Sequence, residues 1–359
     1  MKKIIISVTN DLTTDQRVHK VASSLHNFGY NVLLVGRIGA VLNTREYNCH
    51  RINMVFTKSF LFYLEFNIKL FFFLIFHKKD LLLSNDLDTL LPNFLISKIT
   101  NKPLVYDSHE LFTEVPELLE RPLVKSVWLF VERLCLPYIK FTYTVSHSIA
   151  KYYKDKYGVE MSVIKNYPTR KQNNSIHNAS KNKIIIYQGA VNKDRGIELM
   201  ISAMEYVEAQ LYIIGSGDVL DVMRKHVKKL SLENKVCFFG KLNFDELFEI
   251  TQTADLGLSF EADTCLAYRY ALPNKIFDYI QAEIPILVSD LPELRSVVNT
   301  YNIGEVLISR DPKSVALQMT NMINHSKTKL FPEIPLAKQK FCWQFEEEKL
   351  FSLFQKIIF

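Results

Sequence analysis

A cation and a carboxylate stand one helical turn apart in "ALPNKIFDYIQAEIPILVSD", residues 271–290. Proline at a first helical turn leaves no N–H unsatisfied, and its fixed φ suits a helix start. The next backbone N–H groups, of Asn274, Lys275 and Ile276, then form a helix N-terminus of the kind that attracts phosphate. Lys275 adds a mobile positive charge there. Asp278 lies on the same face and can accept two hydrogen bonds from a ribose diol. An exposed Lys–Asp pair, worth roughly a few tenths of a kcal/mol, accounts for the same two residues equally well.

Three other strand ends carry the same kind of chemistry. "YQGAVNKDRGIELM" (187–200) puts Gly189 at the end of a strand and Arg195-Gly196 at the next helix start. Glycine permits close backbone approach, and an arginine fork suits a diphosphate. "IIGSGD" (213–218) supplies Gly215 and Gly217 in a strand-to-helix turn, and "FFGKL" (238–242) ends a third strand at Gly240, leaving backbone groups to read a base. Each is weak singly; four strand ends in one half of the chain point to a ligand. The "DLD" at 86–88 resembles a metal-binding DxD, but at a strand-to-helix junction aspartate is a routine N-cap, so no metal ligand is assigned. In "TTDQRVHK" (13–20) Asp15 reads as an N-cap, while the Gln-Arg pair is expected near phosphate or acceptor.

The elements that must position these residues alternate strand with helix, which argues for parallel sheets covered on both faces. Apolar runs recur at 4–8, 31–35, 81–84, 103–106 and 141–145, and again from 183 through 290. Between them, "NYPTRKQNNSIHNASKNK" (166–183) is polar and reads as a linker. The expected organisation is α/β, with two Rossmann-like domains facing a central cleft. Residues 1–165 form the first domain, 166–183 the linker and 184–340 the second domain. An amphipathic helix at 341–359 follows. Length of 359 residues, 48% hydrophobic and 23% charged content suit two folded cores. The net charge of +6 suits an anionic partner, with no nucleic-acid motif beside it. Five cysteines, with no CxxC, read as reduced thiols of a cytoplasmic protein. The run in "MKKIIISVTND" ends after Val8 without a cleavage site, so a core strand is expected rather than a leader.

The second half resembles the donor-binding half of a retaining glycosyltransferase of family 4, with the GT-B fold. The shared order is a glycine-rich strand end with a downstream Arg-Gly, a GxG turn, a base-reading strand end, and a helix carrying an acid before "QAEIPILVS". Segments of the first half, "SNDLDTLLP", "YDSHELFTEVPEL", "VSHSIAKYY" and "VIKNYP", resemble a bacterial branch of the same family. The resemblance implies that Asp278 holds the nucleotide ribose and that Arg195 and Lys275 neutralise the diphosphate. It places His109, in "YDSHE", against the transferred sugar, beside Asp107 and Glu110; a histidine satisfied in a capping network is the structural alternative. It also implies that the C-terminal helix crosses back onto the first domain. Three departures stand out. The first of the family's two glutamates is Tyr270, the arginine after the first glycine is Ala190, and the glycine before "IP" is Glu283, whose side chain is expected in solvent.

The expected function is metal-independent transfer of a sugar from a UDP- or GDP-sugar, with retention, to a glycan or lipid-linked acceptor of polysaccharide biosynthesis. No cofactor is expected beyond the nucleotide-sugar donor, and no nucleic acid. A nucleotide-sugar epimerase of the same fold and a catalytically inactive membrane-associated scaffold are the alternatives. The apolar stretch 59–79 is interrupted by Glu65, Asn67 and Lys69, and its uncharged tail falls short of the ~20 residues of a spanning helix. It reads either as a helix buried on the first sheet or as a face resting on an anionic membrane. Lys165, Arg170, Lys171, Lys181 and Lys183 could assist such peripheral contact at the inner face of the cell membrane.

Overall fold

The computed structural model describes residues 1–13, 15–39, 44–171, 183–325 and 330–358. Thr14 of the "TTDQRVHK" segment and 172–182 of the expected linker, Lys181 among them, lie outside the described residues. The chain divides into two compact units. Unit 1 is Met1–Asn166 with Cys265–Ala267 and Glu346–Phe359, and unit 2 is Tyr167–Thr264 with Tyr268–Phe345.

Unit 1 is built on seven parallel strands: β1 (Lys3–Asp11), β2 (Asn31–Arg37), β3 (Asn48–Ile52), β4 (Leu81–Asn85), β5 (Leu104–Ser108), β6 (Phe141–Thr144) and β7 (Ser162–Val163). Their order is β3-β2-β1-β4-β5-β6-β7, the doubly wound arrangement whose ligands bind at the carboxyl ends of the strands. The central strands β4 and β5 are buried along their whole length, as expected of a sheet covered on both faces. Asp15 caps the helix Gln16–Asn27 by accepting from the Val18 amide. In the C-terminal helix Trp343–Ile358, Leu350 and Phe354 are fully buried, and the Phe351 ring stands 4.4 Å from that of Phe28.

Unit 2 repeats the plan with β8 (Ile184–Gln188), β9 (Gln210–Ile214), β10 (Val236–Gly240), β11 (Leu256–Ser259), β12 (Ile286–Val288) and β13 (Gly304–Val306). Their order is β10-β9-β8-β11-β12-β13. Tyr167 is not part of a free connector, because its ring packs against Phe277 and Phe341 inside this unit's core. Lys171 and Lys183, expected to assist a membrane contact, are partly exposed and paired with Asp245 and Asp255.

Glu283 explains one departure and corrects one expectation. Its φ is +58°, in the left-handed region that glycine occupies without steric cost. Its carboxylate is not simply solvated, since Lys338 donates to it at 2.8 Å. The ion pair thus accompanies a side chain where glycine would be relaxed. Glu283→Gly is therefore expected to be more stable than Glu283→Ala, which keeps the strain and loses the pair, by about 1 kcal/mol in urea unfolding. Equal stabilities would contradict that account.

Candidate functional site

In unit 2 the interest centres on the carboxyl ends of β8, β9 and β11 and the start of the helix Asn274–Gln281. Pro273 is the cap of that helix rather than its first residue. Lys275 does not pair with Asp278 in solvent. It is 8% exposed, and its ammonium lies 2.9 Å from Glu261 and 4.1 Å over the Tyr187 ring. The Arg195 guanidinium approaches the same Glu261 oxygen at 3.7 Å and lies 4.5 Å over the Tyr268 ring. The other oxygen of Glu261 accepts from the Ser259 hydroxyl at 2.7 Å. Burial opposes ionisation of Glu261, but Lys275, its hydrogen bond and Arg195 outweigh it and hold the carboxyl below the usual range. Two cations are thus gathered, oriented and largely desolvated around one buried carboxylate.

Asp278 is half-buried and receives the Gln188 side-chain amide at 2.9 Å, while Gln188 accepts from Thr251. Asn274 is exposed at the first turn. Gly189, with φ +131°, stands over Lys275: a Cβ there would sit 3.5 Å from Cε of that lysine. Gly215 is required by close approach, because a Cβ on it would overlap the carbonyl oxygen of Gly189, and Gly217 would similarly strike Asn192. The two glycine turns are therefore packed on each other. At Gly240, expected to end a base-reading strand, the carbonyl accepts from the Gly215 amide at 2.7 Å. Arg310, not singled out by the sequence, donates to Ser289 and to the Phe260 carbonyl, both at 3.0 Å.

In unit 1 the carboxyl ends of β1, β4, β5 and β6 hold a second buried network. Arg17 was expected near phosphate or acceptor, but it is 3% exposed and forks onto Asp107 at 2.7 and 3.0 Å. His109 is gripped from both sides, with Nε2 at 3.1 Å from Asp107 and Nδ1 at 3.1 Å from Asp86. Carboxylates only accept, so both ring nitrogens carry protons. Burial disfavours that charge, yet the two aspartates outweigh it and push the imidazole well above its ordinary value. His109 is thereby a fixed cation and hydrogen-bond donor rather than a base. Asp107 is held at about 2 although it is fully buried, because Arg17 and His109 offset the cost of burial.

Asp86 occupies the cap position before Leu87–Thr89 without capping it. Its carboxylate accepts the His109 amide at 2.7 Å, and its φ of +55° is the strained arrangement that permits this. Asp88 accepts from the Thr9 hydroxyl. The two acids of "DLD" therefore serve different partners. Burial, with the Asp86 charge beside it, pushes the Asp88 carboxyl up to about 7.

Paired doubly wound sheets with cation-bearing strand ends are the architecture of GT-B sugar transferases. Residues 15–167 match Glycosyltransferase Family 4 and residues 169–330 match Glycosyl transferases group 1, and the chain belongs to this family of GT-B glycosyltransferases. A relative described as an uncharacterized glycosyltransferase of Methanocaldococcus jannaschii is 27% identical over 141 residues, covering 37% of this chain and 34% of that protein. The chitobiosyldiphosphodolichol beta-mannosyltransferase of Candida albicans is 24% identical over 250 residues, 61% of this chain and 54% of that protein. The matched region thus spans between a third and a little over half of these relatives' length. Sucrose-phosphate synthase from Thermosynechococcus elongatus shares the fold at a TM-score of 0.83 and 14% identity, over 99% of both chains. HepE from Anabaena, in complex with UDP and glucose, does so at 0.79 and 14%, over 99% of this chain and 100% of that one.

Two outcomes follow from these networks. Glu261→Ala leaves Lys275 as an uncompensated buried cation and is expected to cost about 3 kcal/mol in urea unfolding; a cost under about 1 kcal/mol would contradict the pairing. Asp88 binds its extra proton in the folded state, so its contribution to stability falls as pH rises from about 4 to about 7. Asp88→Asn should therefore gain on wild type in melting temperature between pH 5 and pH 8. A constant difference across that range would refute the raised value.

Proposed function

We propose that this glycosyltransferase takes a nucleoside diphosphate sugar, UDP- or GDP-linked, in unit 2 and transfers the sugar with retention to a glycan or lipid-linked acceptor. The observation that carries the reading is the convergence of Lys275 and Arg195 on Glu261, directly beneath the turn at Gly189. In this reading the diphosphate settles against the two cations and the N-terminal amides of Asn274–Gln281, and Asp278 holds the ribose. Charge developing on the leaving diphosphate is met by groups already oriented and partly dry, the arrangement that makes electrostatic stabilisation effective. These cations supply the neutralisation for which other transferases use a metal, so no metal is proposed. His109, held as a donor between Asp86 and Asp107, is not proposed as the base that deprotonates the acceptor.

Several findings support the donor class and the acceptor class. HepE of the same fold has been solved with UDP and glucose and with UDP-glucose. The Candida relative is by its name a mannosyltransferase of chitobiosyldiphosphodolichol. Polysaccharide biosynthesis is the matching process.

Thermal unfolding against UDP, GDP, ADP and CDP, with and without Mg²⁺, tests the reading. A nucleotide at about 100 times its Kd adds roughly 2.7 kcal/mol, a shift of several degrees. One diphosphate is expected to give that shift without Mg²⁺, and Asp278→Ala to lose it. Arg195→Ala is expected mainly to lower turnover. No shift with any nucleotide would overturn the donor site.

A further inference from the structure

The outward side of unit 1 carries an apolar face that its own packing does not use. On the helix Ser59–Phe76, Phe62, Phe66, Leu70 and Leu74 point inward and are buried. The opposite side presents Phe60, Leu64, Ile68, Phe72 and Phe76, exposed by between 49% and 81%. By length and composition this helix could cross a bilayer, but its inner face belongs to the core, and Glu65 at mid-helix accepts from the Val55 and Phe56 amides and from Lys69. A helix tied down in this way can meet lipid along only one side.

The helix Pro122–Cys135 buries Val131 and Cys135 but carries apolar residues on its outer side as well. Its charged Glu132 is fully buried and accepts from Tyr153, Tyr157 and Lys156. Leu123, Val127, Phe130 and Leu134, at spacings of four, three and four, face outward and are 84%, 61%, 65% and 39% exposed. A helix at a water-facing surface normally carries polar residues on that side. The two helices are neighbours, since the rings of Tyr63 and Trp128 meet edge-on at 5.4 Å. Leu95 and Ile99 of the helix Leu90–Thr100 are exposed as well, and Lys98 of that helix lies over the rings of Phe94 and Tyr138.

We propose that this three-helix face rests on an anionic lipid surface. Exposed cations adjoin the apolar residues in sequence: Lys58, Lys78, Lys98, Arg121, Arg133 and Lys140, against the exposed acids Asp80, Glu110, Glu117 and Glu120. Aromatic and aliphatic side chains with cations beside them match the interface between acyl chains and anionic headgroups. A second copy of this chain would bring the same positive border onto itself, which disfavours self-association as the cover. The face is also chained to the His109 network. The residues after His109 lead into Pro122–Cys135, and the Phe112 ring lies 5.2 Å from that of Trp128. An acceptor anchored in lipid would then be presented beside that network. The docking itself holds whether or not the donor reading does.

Flotation of the full chain with phosphatidylcholine vesicles, with and without phosphatidylglycerol, tests the proposal. Wild type is expected to float with the anionic vesicles, less at high salt, and to stay below with phosphatidylcholine alone. Phe72→Asp with Phe130→Asp should abolish flotation without changing the melting temperature, since both side chains are already exposed. Lys98→Glu with Arg133→Glu, which replaces no apolar residue, should lower binding by about tenfold or more. Wild type remaining unbound by anionic vesicles would overturn the proposal, as would flotation indifferent to both double variants. Should wild type instead form a dimer that the aspartate variants dissociate, with no flotation, the face belongs to a second copy and the lipid proposal falls. None of these readouts depends on nucleotide binding or turnover.

Discussion

The ion pair between Glu261 and Lys275 is the constraint on which unit 2 is organised. A lysine only 8% exposed at the end of a parallel sheet is tolerable only with its counter-charge in contact. That requirement fixes the residues after β11 against the start of the helix Asn274–Gln281. It brings Arg195 in from the β8 side, and the turn that passes over Lys275 takes a backbone conformation, φ +131° at Gly189, that favours glycine. Gly215 has to be bare because the turn after β9 lies on the turn after β8. In the proposed reaction an arriving diphosphate meets cations whose orientation is already fixed.

Unit 1 meets the same electrostatic problem in the same way, with one further acid added. There the buried acid is Asp107, and two cations, Arg17 and His109, keep it ionised. Asp86 completes the network from a strained backbone position. Histidine in such a setting is committed to donating, so its contribution to sugar transfer is charge and position. The neighbouring Asp88 shows what happens without a cation in contact, where burial wins and the carboxyl holds its proton to about 7.

The central strands were legible from the sequence because fully buried parallel strands read as unbroken apolar runs, as in "IIISV" and "KIIIYQG". The strands β3, β7 and β13 were not, because Asn48–Ile52 is polar, and Ser162–Val163 and Gly304–Val306 are too short to show a period. Lys275 and Asp278 could be singled out from helical spacing, but their partners could not. Glu261 comes fourteen residues before Lys275, and only the fold joins them; the available signal was a charged residue directly after the apolar run "LGLSF". Arg17 and Asp107, ninety positions apart, left no local trace of their pairing. The outward apolar stripe of Pro122–Cys135 has an ordinary amphipathic period, and sequence alone cannot say which side faces in.

The central claim is that Lys275 and Arg195 read a diphosphate. The most direct test is calorimetric titration of a nucleoside monophosphate and the corresponding diphosphate, in wild type and in Lys275→Met. The account predicts that wild type prefers the diphosphate and that the variant loses most of that preference while still binding the monophosphate. A preference for the diphosphate that survives unchanged in Lys275→Met would contradict it.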